Sequence, residues 1–230
     1  MWFIIIVYMA LNRGPRIVTS GLVLCLDAAN KNSYKGSGTS WLDLSGNNNT
    51  GTLTNTPTFS NTNGGNFTFN GTTQYVDCGS SATLQINVGT ISAWIKTTTN
   101  DANYRAIICL QGNYGLFVKS SVLITYDWGN NIDRATATNV IDGNWKNVVM
   151  TFSNNVGTPS NNAILYVNGV SVLTTTTKFL SNSSNLLFGY GNSVNQYFNG
   201  SISNGLIYNR VLTAAEVLQN FNAVRRRFGI

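Results

Sequence analysis

Residues 200–222, with the sequence GSISNGLIYNRVLTAAEVLQNFN, decide the fold because a strand, a corner and a helix start can be read from them in order. Residues 206–208 end a predicted strand, and Asn209 and Arg210 carry the chain round a corner. Thr213 then caps a predicted helix, since its hydroxyl can accept the Glu216 amide while the Glu216 carboxylate reaches back to the Thr213 amide. The stretch therefore predicts a strand followed directly by a capped helix.

Apolar residues on both sides of this cap indicate how the helix docks. Leu212 precedes the cap and Val217 follows it at the spacing of a hydrophobic staple. Val217, Leu218 and Phe221 extend an apolar stripe that we expect to lie on a core. The sequence thus predicts a β domain closed by one short C-terminal helix.

Short alternating segments elsewhere predict about a dozen strands. Ile91, Ala93 and Ile95 alternate with polar residues, which puts Trp94 on the opposite face of its strand. Residues 107–110, 116–118 and 122–126 have the pattern of a meander, and Asn168-Gly169 is a strong hairpin signal. With no alternation of strands and helices, the expected fold is all-β, a two-sheet antiparallel sandwich.

Several segments resemble a known family. FTFNGTTQYVDCG (67–79), GTISAWIKT (89–97), WKNVVMTFS (145–153) and AILYVNGVSV (163–172) occur in the order typical of laminin-G-like, concanavalin A-like jelly rolls. The IYNR strand and capped helix of the opening stretch match the end of that domain. Residues 21–53 and 220–230 are similar to the version found in tailed-phage virion proteins.

The resemblance implies a jelly-roll sandwich and two functions. One is a non-catalytic virion structural protein, either a capsid decoration or a head or tail fibre component. It would be assembled in the host cytoplasm and displayed on the virion surface, with other virion proteins and further copies of itself as partners. The alternative is an adhesin that attaches the particle to host or environmental polysaccharide.

The reactive residues argue against an enzyme. The chain has no histidine, which removes the commonest general base and every Ser-His-Asp arrangement. Glu216 is its only glutamate, whereas glycoside hydrolysis needs two facing carboxylates. We therefore expect no catalysis.

Calcium is the one cofactor that the resemblance implies. Its candidate ligands are Asp27, Asp43 and Asp77, although Gln74 and the pair Ser203-Asn204 stand where the family usually has acidic residues. For a sugar, the candidates are aromatic side chains of the rim loops, which could equally be core residues. They are Trp41, Tyr104, Tyr114, Trp128 and Tyr197.

Charge is concentrated at the two ends of the chain. The net charge is +6, and five of the 14 basic residues lie near the termini, namely Arg13, Arg16, Arg225, Arg226 and Arg227. These arginines are typical either of arms that lie on an acidic partner or of solvated tails, while the neutral centre argues against nucleic-acid binding. We therefore divide the chain into an N-terminal arm (1–20), the sandwich (21–222) and a basic tail (223–230).

The first nine residues, MWFIIIVYM, are apolar but too short to span a bilayer. Two interpretations stay open for them. Translation could begin at an added upstream start codon before Met9, or the segment could be a hydrophobic strand that pairs with a partner. Separately, Cys25, Cys78 and Cys109 each fall in an apolar run, which favours buried free thiols over a disulfide.

Overall fold

Two antiparallel β-sheets form the body of the protein in the computed structural model, which describes residues 15–153, 162–180 and 183–230. Sixteen strands lie in these ranges. They are β1 (Leu22–Asp27), β2 (Ser40–Trp41), β3 (Gly51–Thr54), β4 (Thr58–Ser60), β5 (Asn66–Asn70), β6 (Tyr75–Asp77), β7 (Val88–Lys96), β8 (Arg105–Leu110), β9 (Tyr114–Lys119), β10 (Val122–Asp127), β11 (Ile132–Asn139), β12 (Lys146–Ser153), β13 (Asn162–Val167), β14 (Val170–Thr176), β15 (Leu186–Phe188) and β16 (Asn199–Tyr208). One α-helix, α1 (Ala214–Val224), follows β16, and 3₁₀ turns form at Thr62–Gly64, Ala82–Leu84 and Arg225–Phe228.

The strands divide into a back sheet and a front sheet. The back sheet has the order β14-β13-β12-β7-β16-β5-β4, with β1 also paired to β16. The front sheet has the order β11-β10-β9-β8-β15-β6-β3-β2. The predicted meander appears as the antiparallel neighbours β8, β9 and β10. The two-sheet sandwich with one C-terminal helix is therefore confirmed.

The main core lies between the two sheets. Ile91, Ala93 and Ile95 of β7 point into it, whereas Trp94 belongs to a separate cluster under the helix, as the alternation predicts. The Asn168-Gly169 turn has φ values of 52° and 79°, the double positive φ that a type I′ hairpin requires. Local sequence patterns thus set both the strand faces and this turn.

The helix cap has the predicted geometry. Glu216 N donates to Thr213 Oγ1 over 3.2 Å, and Thr213 N donates to Glu216 Oε2 over 2.9 Å. Leu212 and Val217 are buried together on the outer face of the back sheet. Leu218, however, is 44% exposed, so the predicted stripe is wrong there; the buried face of α1 contains Val217, Asn220 and Phe221 instead.

The C-terminal residues are part of the folded domain, which corrects the predicted basic tail. Arg225–Phe228 forms a 3₁₀ turn whose Phe228 ring stacks on Trp94 at 4.1 Å between centroids. Arg227 forms an ion pair with Asp27 at 2.9 Å and also donates to Ser203. Because these contacts hold its guanidinium on the domain, Arg227 is not a free arm residue.

The other two arginines of this turn are ordered through their backbone. The side chains of Arg225 and Arg226 are exposed, but the carbonyl groups of both accept the Gly229 amide that closes the turn. The Arg225 guanidinium also lies 5.8 Å from the centroid of the Phe221 ring. The backbone at Arg225 and Arg226 is therefore part of an ordered turn and not of a free tail, while the two side chains stay exposed, and their role toward a partner stays a prediction.

The N-terminal end of the described chain also packs on the domain. Val18 N donates to Asn220 Oδ1 over 2.8 Å, and Val18 O accepts from the Tyr208 hydroxyl over 2.9 Å. Arg16 has an exposed side chain, but its carbonyl accepts a bond from Gln219. Arg13 and the apolar segment 1–9 lie outside the described residues, so the interpretations of that segment stay predictions.

The three cysteines are all buried and free, as predicted for Cys25, Cys78 and Cys109. Among the helices that the structure describes, none is both long and apolar enough to cross a membrane.

Candidate functional site

The outer face of the front sheet is the face that α1 leaves open, since α1 and the C-terminal turn pack on the back sheet. Strand register places two rows of outward residues across it. One row runs Asp77, Leu187, Cys109, Gly115 from β6 to β9, and the other runs Ala106, Phe117, Ile124, Ala135 from β8 to β11. These mostly small and apolar residues form a floor on which larger rings stand.

A cleft of about 280 Å³ opens on this floor, and we call it the Trp128 cleft. Aromatic rings and amides line it: Tyr104, Gln111, Phe117, Tyr126, Trp128, Asn131 and Gln196. The rings of Tyr104 and Tyr126, and those of Tyr126 and Trp128, meet edge to face at 5.7 and 5.5 Å. Because edge-to-face packing fixes ring orientation, these rings present fixed surfaces to the cleft.

Gly115 makes room for one of these rings. A β-carbon at this position would lie 2.8 Å from Phe117 Cε2, closer than such contacts allow. The missing side chain therefore lets the Phe117 ring lie across β9 at the base of the cleft.

The polar groups of the cleft are amides with hydrogen-bonding capacity. Gln196 Oε1 is buried and has no hydrogen-bond partner among the described residues. Asn131 accepts from the Tyr126 hydroxyl over 3.2 Å, which leaves its amide N–H groups available as donors. The cleft thus offers the amide donors of Asn131 beside its aromatic rings, while Gln196 Oε1 faces Gly191.

Charge in the cleft wall is neutralised locally. Lys119 Nζ lies 2.7 Å from Asp133 Oδ2 and 4.0 Å from the centroid of the Tyr104 ring. The hydrogen bond to Asp133 raises the pKa of Lys119, so the ammonium group stays charged at neutral pH. Burial raises the pKa of Tyr104, whose hydroxyl therefore remains protonated and donates to Asp133 over 2.9 Å.

A second aromatic cluster stands on the same face of the front sheet. The rings of Tyr190 and Tyr197 are stacked at 4.1 Å and 8°, and the Tyr75 ring lies 5.3 Å from that of Tyr190. A cleft of about 210 Å³, which we call the Tyr190 cleft, adjoins them. Its lining includes Tyr75, Asp77, Asn185, Leu187, Tyr190 and Asn192.

The five glycan candidates separate into two groups. Tyr104 and Trp128 line the Trp128 cleft, and Tyr197 is half-buried beside the Tyr190 cleft. Trp41 and Tyr114 are 0% exposed in the core, so neither ring can meet a sugar and both are corrected to core residues. The Trp41 ring packs on Phe67, and the Tyr114 hydroxyl donates to Leu84 O over 2.8 Å.

Sequence reasoning missed several lining residues, among them Phe117, Tyr126 and Tyr75. One signal could have found a part of the site, because Tyr126 and Trp128 are two residues apart and so share a face of the extended chain. No local sequence pattern identifies Gln196 as a lining residue, since its position depends on how the connection between β15 and β16 lies on the sheet.

The three predicted calcium ligands each serve a separate structural role. Asp27 pairs with Arg227, and Asp43 accepts the amides of Cys25, Ser45 and Asn49. Asp77 accepts from Gly79 N and Asn185 Nδ2. No three His, Cys, Asp or Glu side chains of residues 15–153, 162–180 and 183–230 come close enough to hold a metal together. Asp27, Asp43 and Asp77 are therefore not brought together as one metal site, and calcium binding stays a prediction from the resemblance.

Glu216 is a structural carboxylate as well. The hydrogen bonds from Arg210, at 2.6 and 2.9 Å, lower the pKa of Glu216 to about 2. A carboxyl group of this kind is ionised at neutral pH and cannot donate a proton as a general acid.

Comparison with known proteins agrees with this fold. A family model described as Laminin_G_3, of the concanavalin A-like lectin/glucanases superfamily, matches residues 70–218. The match covers more than half of the chain, which therefore belongs to this family. No curated protein sequence matches it.

Solved structures with the same fold are similar at low identity. The binding domain of Paraclostridial Mosquitocidal Protein 1 has a TM-score of 0.67 at 18% identity, covering 88% of this chain and 52% of that one. The receptor-binding domain of botulinum neurotoxin type G gives 0.64 at 18%, covering 88% and 51%. This chain thus spans about half the length of both. Domain 4 of an extracellular arabinanase from Geobacillus stearothermophilus, solved in complex with arabinotriose, gives 0.68 at 18%, covering 88% and 98%.

Proposed function

We propose that this chain, as a member of the concanavalin A-like lectin/glucanases superfamily, is a non-catalytic carbohydrate-binding module whose binding site is the Trp128 cleft. One observation carries the proposal: aromatic rings and amide side chains line one open cleft on the front sheet. Sugar rings have apolar faces and many hydroxyls, so a binding site for them needs both kinds of group.

The polar groups of the cleft suit a hydroxylated ligand. The Asn131 amide is exposed at the cleft, and its N–H groups are not used by the hydrogen bond that it accepts from Tyr126. Sugar hydroxyls can accept from these N–H groups, whereas Gln196 Oε1 is buried against Gly191 and is not open to a ligand. Because Lys119 and Asp133 neutralise each other, binding here does not require a charged ligand.

The comparisons support a binding role more than the virion structural role that the sequence resemblance implies. The solved structures named above are binding domains of toxins and an arabinanase domain with arabinotriose. The sequence also supplies few catalytic groups, since it has no histidine and its one glutamate caps a helix. Placement on a virion, with other virion proteins as partners, stays a prediction from the resemblance.

Glycan binding can be tested directly with purified protein. We expect retarded migration in native gels that contain arabinan, a β-glucan, chitosan or a galactan, and a matching signal on a glycan array. Trp128→Ala should weaken the binding at least about tenfold because it removes the largest ring of the cleft.

Two variants keep this test independent of folding. Asn131→Gly removes the exposed amide donors and keeps a backbone conformation, φ of 55°, that glycine adopts freely. We expect about fivefold weaker binding, equivalent to about 1 kcal/mol for one hydrogen bond. Val170→Ala, at an exposed residue of the back-sheet hairpin, serves as the matched control and should bind like wild type. A wild-type protein that is folded yet binds none of the glycans, or folded Trp128 and Asn131 variants that bind normally, would refute the proposal.

A further inference from the structure

The loop between β15 and β16 is shared by two clefts on the front sheet. A backbone bridge joins Tyr190 and Tyr197 of this loop, and their rings stack. Gln196 of the loop lines the Trp128 cleft, whereas Tyr190 and Asn192 line the Tyr190 cleft. This loop therefore forms a wall of both clefts.

Contacts to β8 hold the loop against the sheet. Ala106 N donates to Gln196 O over 3.3 Å, and Arg105 donates to Tyr197 O over 2.9 Å. The Gln196 side chain lies directly on Gly191, where a β-carbon would be 2.1 Å from Oε1. These contacts of Gln196 and Tyr197 fix the position of the loop between the two clefts.

Together the two clefts span several strands of the front sheet. Tyr126 and Trp128 come at the end of β10, and Tyr75 stands on β6, four strand positions away in the front sheet. Neighbouring strands are about 4.8 Å apart, so the outer edges of the two clefts, at β10 and β6, lie about 19 Å apart. A ligand that fills both clefts must span that width, which an oligosaccharide can do and a single sugar ring cannot.

The Tyr190 cleft differs from the Trp128 cleft in its charge. Asp77 lines it and accepts hydrogen bonds from Asn185 Nδ2 at 3.0 Å and Gly79 N at 2.8 Å. Both donors are neutral, and Asp77 makes no ion pair with any residue that the structure describes. No cationic side chain of the described residues therefore balances the Asp77 carboxylate, which lies where a sugar unit would sit and repels a second carboxylate.

We propose that the Tyr190 cleft is a second subsite, which binds further units of the same oligosaccharide and selects against uronic acids through Asp77. The inference rests on the proposed function of the Trp128 cleft. The stacked ring pair of Tyr190 and Tyr197, with Tyr75 beside it, supplies the apolar surface for the sugar face. The side chains of Asn185 and Asn192 supply amides for its hydroxyls, so the preferred unit is neutral or bears an amine.

Chain length tests the second subsite. Calorimetric titrations would compare trisaccharides with hexasaccharides of arabinan, cellulose and chitin. We expect the hexasaccharide of a bound series to bind at least about tenfold more tightly than its trisaccharide, equivalent to about 1.4 kcal/mol. Tyr190→Ala should abolish this gain while leaving trisaccharide binding within about twofold, since the short ligand sits in the Trp128 cleft.

A second variant guards against misfolding. Asn192 has φ of 59°, so Asn192→Gly removes the amide while keeping a backbone conformation that glycine adopts freely. We expect it to lower hexasaccharide affinity only, by about threefold. Val170→Ala again serves as the control outside both clefts.

Charge selection is tested by Asp77→Asn, which keeps the size of the side chain. Hexasaccharides of polygalacturonate should bind the wild type weakly, and the variant about fivefold more tightly, with the difference shrinking in high salt. The gain for polygalacturonate should be several times larger than any change in affinity for the neutral hexasaccharide, because only the charged ligand is repelled by Asp77.

The outcomes separate the two proposals. If the wild type binds tri- and hexasaccharides equally, or if folded Tyr190→Ala keeps the length gain, the second subsite is refuted and the Trp128 cleft stands. If Asp77→Asn binds polygalacturonate hexasaccharides no more tightly than the wild type does, the charge selection is refuted. If the wild type binds no oligosaccharide at all, both proposals fail together.

Discussion

Replacing Glu216 by Gln tests whether the only glutamate of the chain stabilises the fold by its charge. Gln can still complete a capping box with Thr213, because its side-chain oxygen accepts the same amide. What it loses is the ion pair with Arg210, whose two nitrogens lie 2.6 and 2.9 Å from the carboxylate. The substitution therefore separates charge from capping.

The magnitude follows from the pKa of Glu216. The pKa falls from 4.5 to about 2, chiefly because of the Arg210 hydrogen bonds. Each pKa unit corresponds to about 1.4 kcal/mol, so the unscreened stabilisation is about 3.4 kcal/mol. The side chain is 27% exposed and water screens the pair, so we expect about 1–2 kcal/mol.

The sign of the pH dependence is fixed by the same shift. A carboxyl whose pKa is lower in the folded state stabilises the fold fully above its unfolded pKa, here 4.5. This stabilisation is lost as pH falls from about 5 towards 2, where Glu216 becomes protonated in both states. The wild type and Glu216→Gln should therefore converge in stability at low pH.

Urea denaturation followed by tryptophan fluorescence, at pH 7, 5 and 3, would measure the difference. We expect Glu216→Gln to be less stable by about 1–2 kcal/mol at pH 7 and by distinctly less at pH 3. Thr213→Ala serves as the comparison, since losing the N-cap costs about 1 kcal/mol. A difference for Glu216→Gln that is equal at pH 7 and pH 3 would refute the electrostatic explanation, and unchanged glycan binding is expected throughout.

Three packing predictions follow from single positions. Phe228→Ala should lower the free energy of unfolding by about 3 kcal/mol, because the Phe228 ring is buried against Trp94. A loss below about 0.5 kcal/mol would show that the C-terminal segment does not stabilise the domain. Gly205→Ala puts a β-carbon 2.2 Å from Phe188 Cε1 inside the sandwich, so we expect a loss of at least about 2 kcal/mol, measured by urea denaturation. Gly115→Ala should push the Phe117 ring into the Trp128 cleft and weaken glycan binding severalfold in gel retardation, with only about 1 kcal/mol of lost stability; normal binding would show that this ring does not shape the cleft.

Local chemistry made part of the fold predictable. The capping box of Thr213 and Glu216 needs only four consecutive residues, and the Asn168-Gly169 turn needs only two that tolerate positive φ. The faces of β7 follow from alternation, which the strand geometry imposes on any sequence. Each of these features depends only on residues close to it in the chain, so the sequence alone is enough to predict it.

Burial of the aromatic residues was not predictable in the same way. Trp41, Tyr114 and Trp128 all occur in similar polar surroundings along the chain, and tryptophan and tyrosine suit both a core and a surface. Strand pairing buries Trp41 and Tyr114 and leaves Trp128 half-buried. Which of these rings meets solvent is thus a property of the assembled sheets.

The basic C-terminal segment shows a related limit. A run of three arginines, Arg225, Arg226 and Arg227, is typical of a solvated tail when only neighbouring residues are considered. Its place on the domain depends on Trp94 and Asp27, which lie more than a hundred residues earlier in the chain. The three arginines therefore lie in an ordered turn because of contacts with distant residues, which no local sequence pattern could show.

The candidate site shows most clearly which features follow from the sequence alone and which need the tertiary structure. Alone, the sequence determined that this protein is a β sandwich closed by a capped helix, with no histidine and a single glutamate, because composition and short-range patterns suffice for those conclusions. Only the tertiary structure brought Gln196 beside Trp128, and Tyr75 beside Tyr190, from strands far apart in the chain. The physical reason is that the distances between these side chains depend on the sheet register and on how one connecting loop packs. No local sequence pattern contains that information.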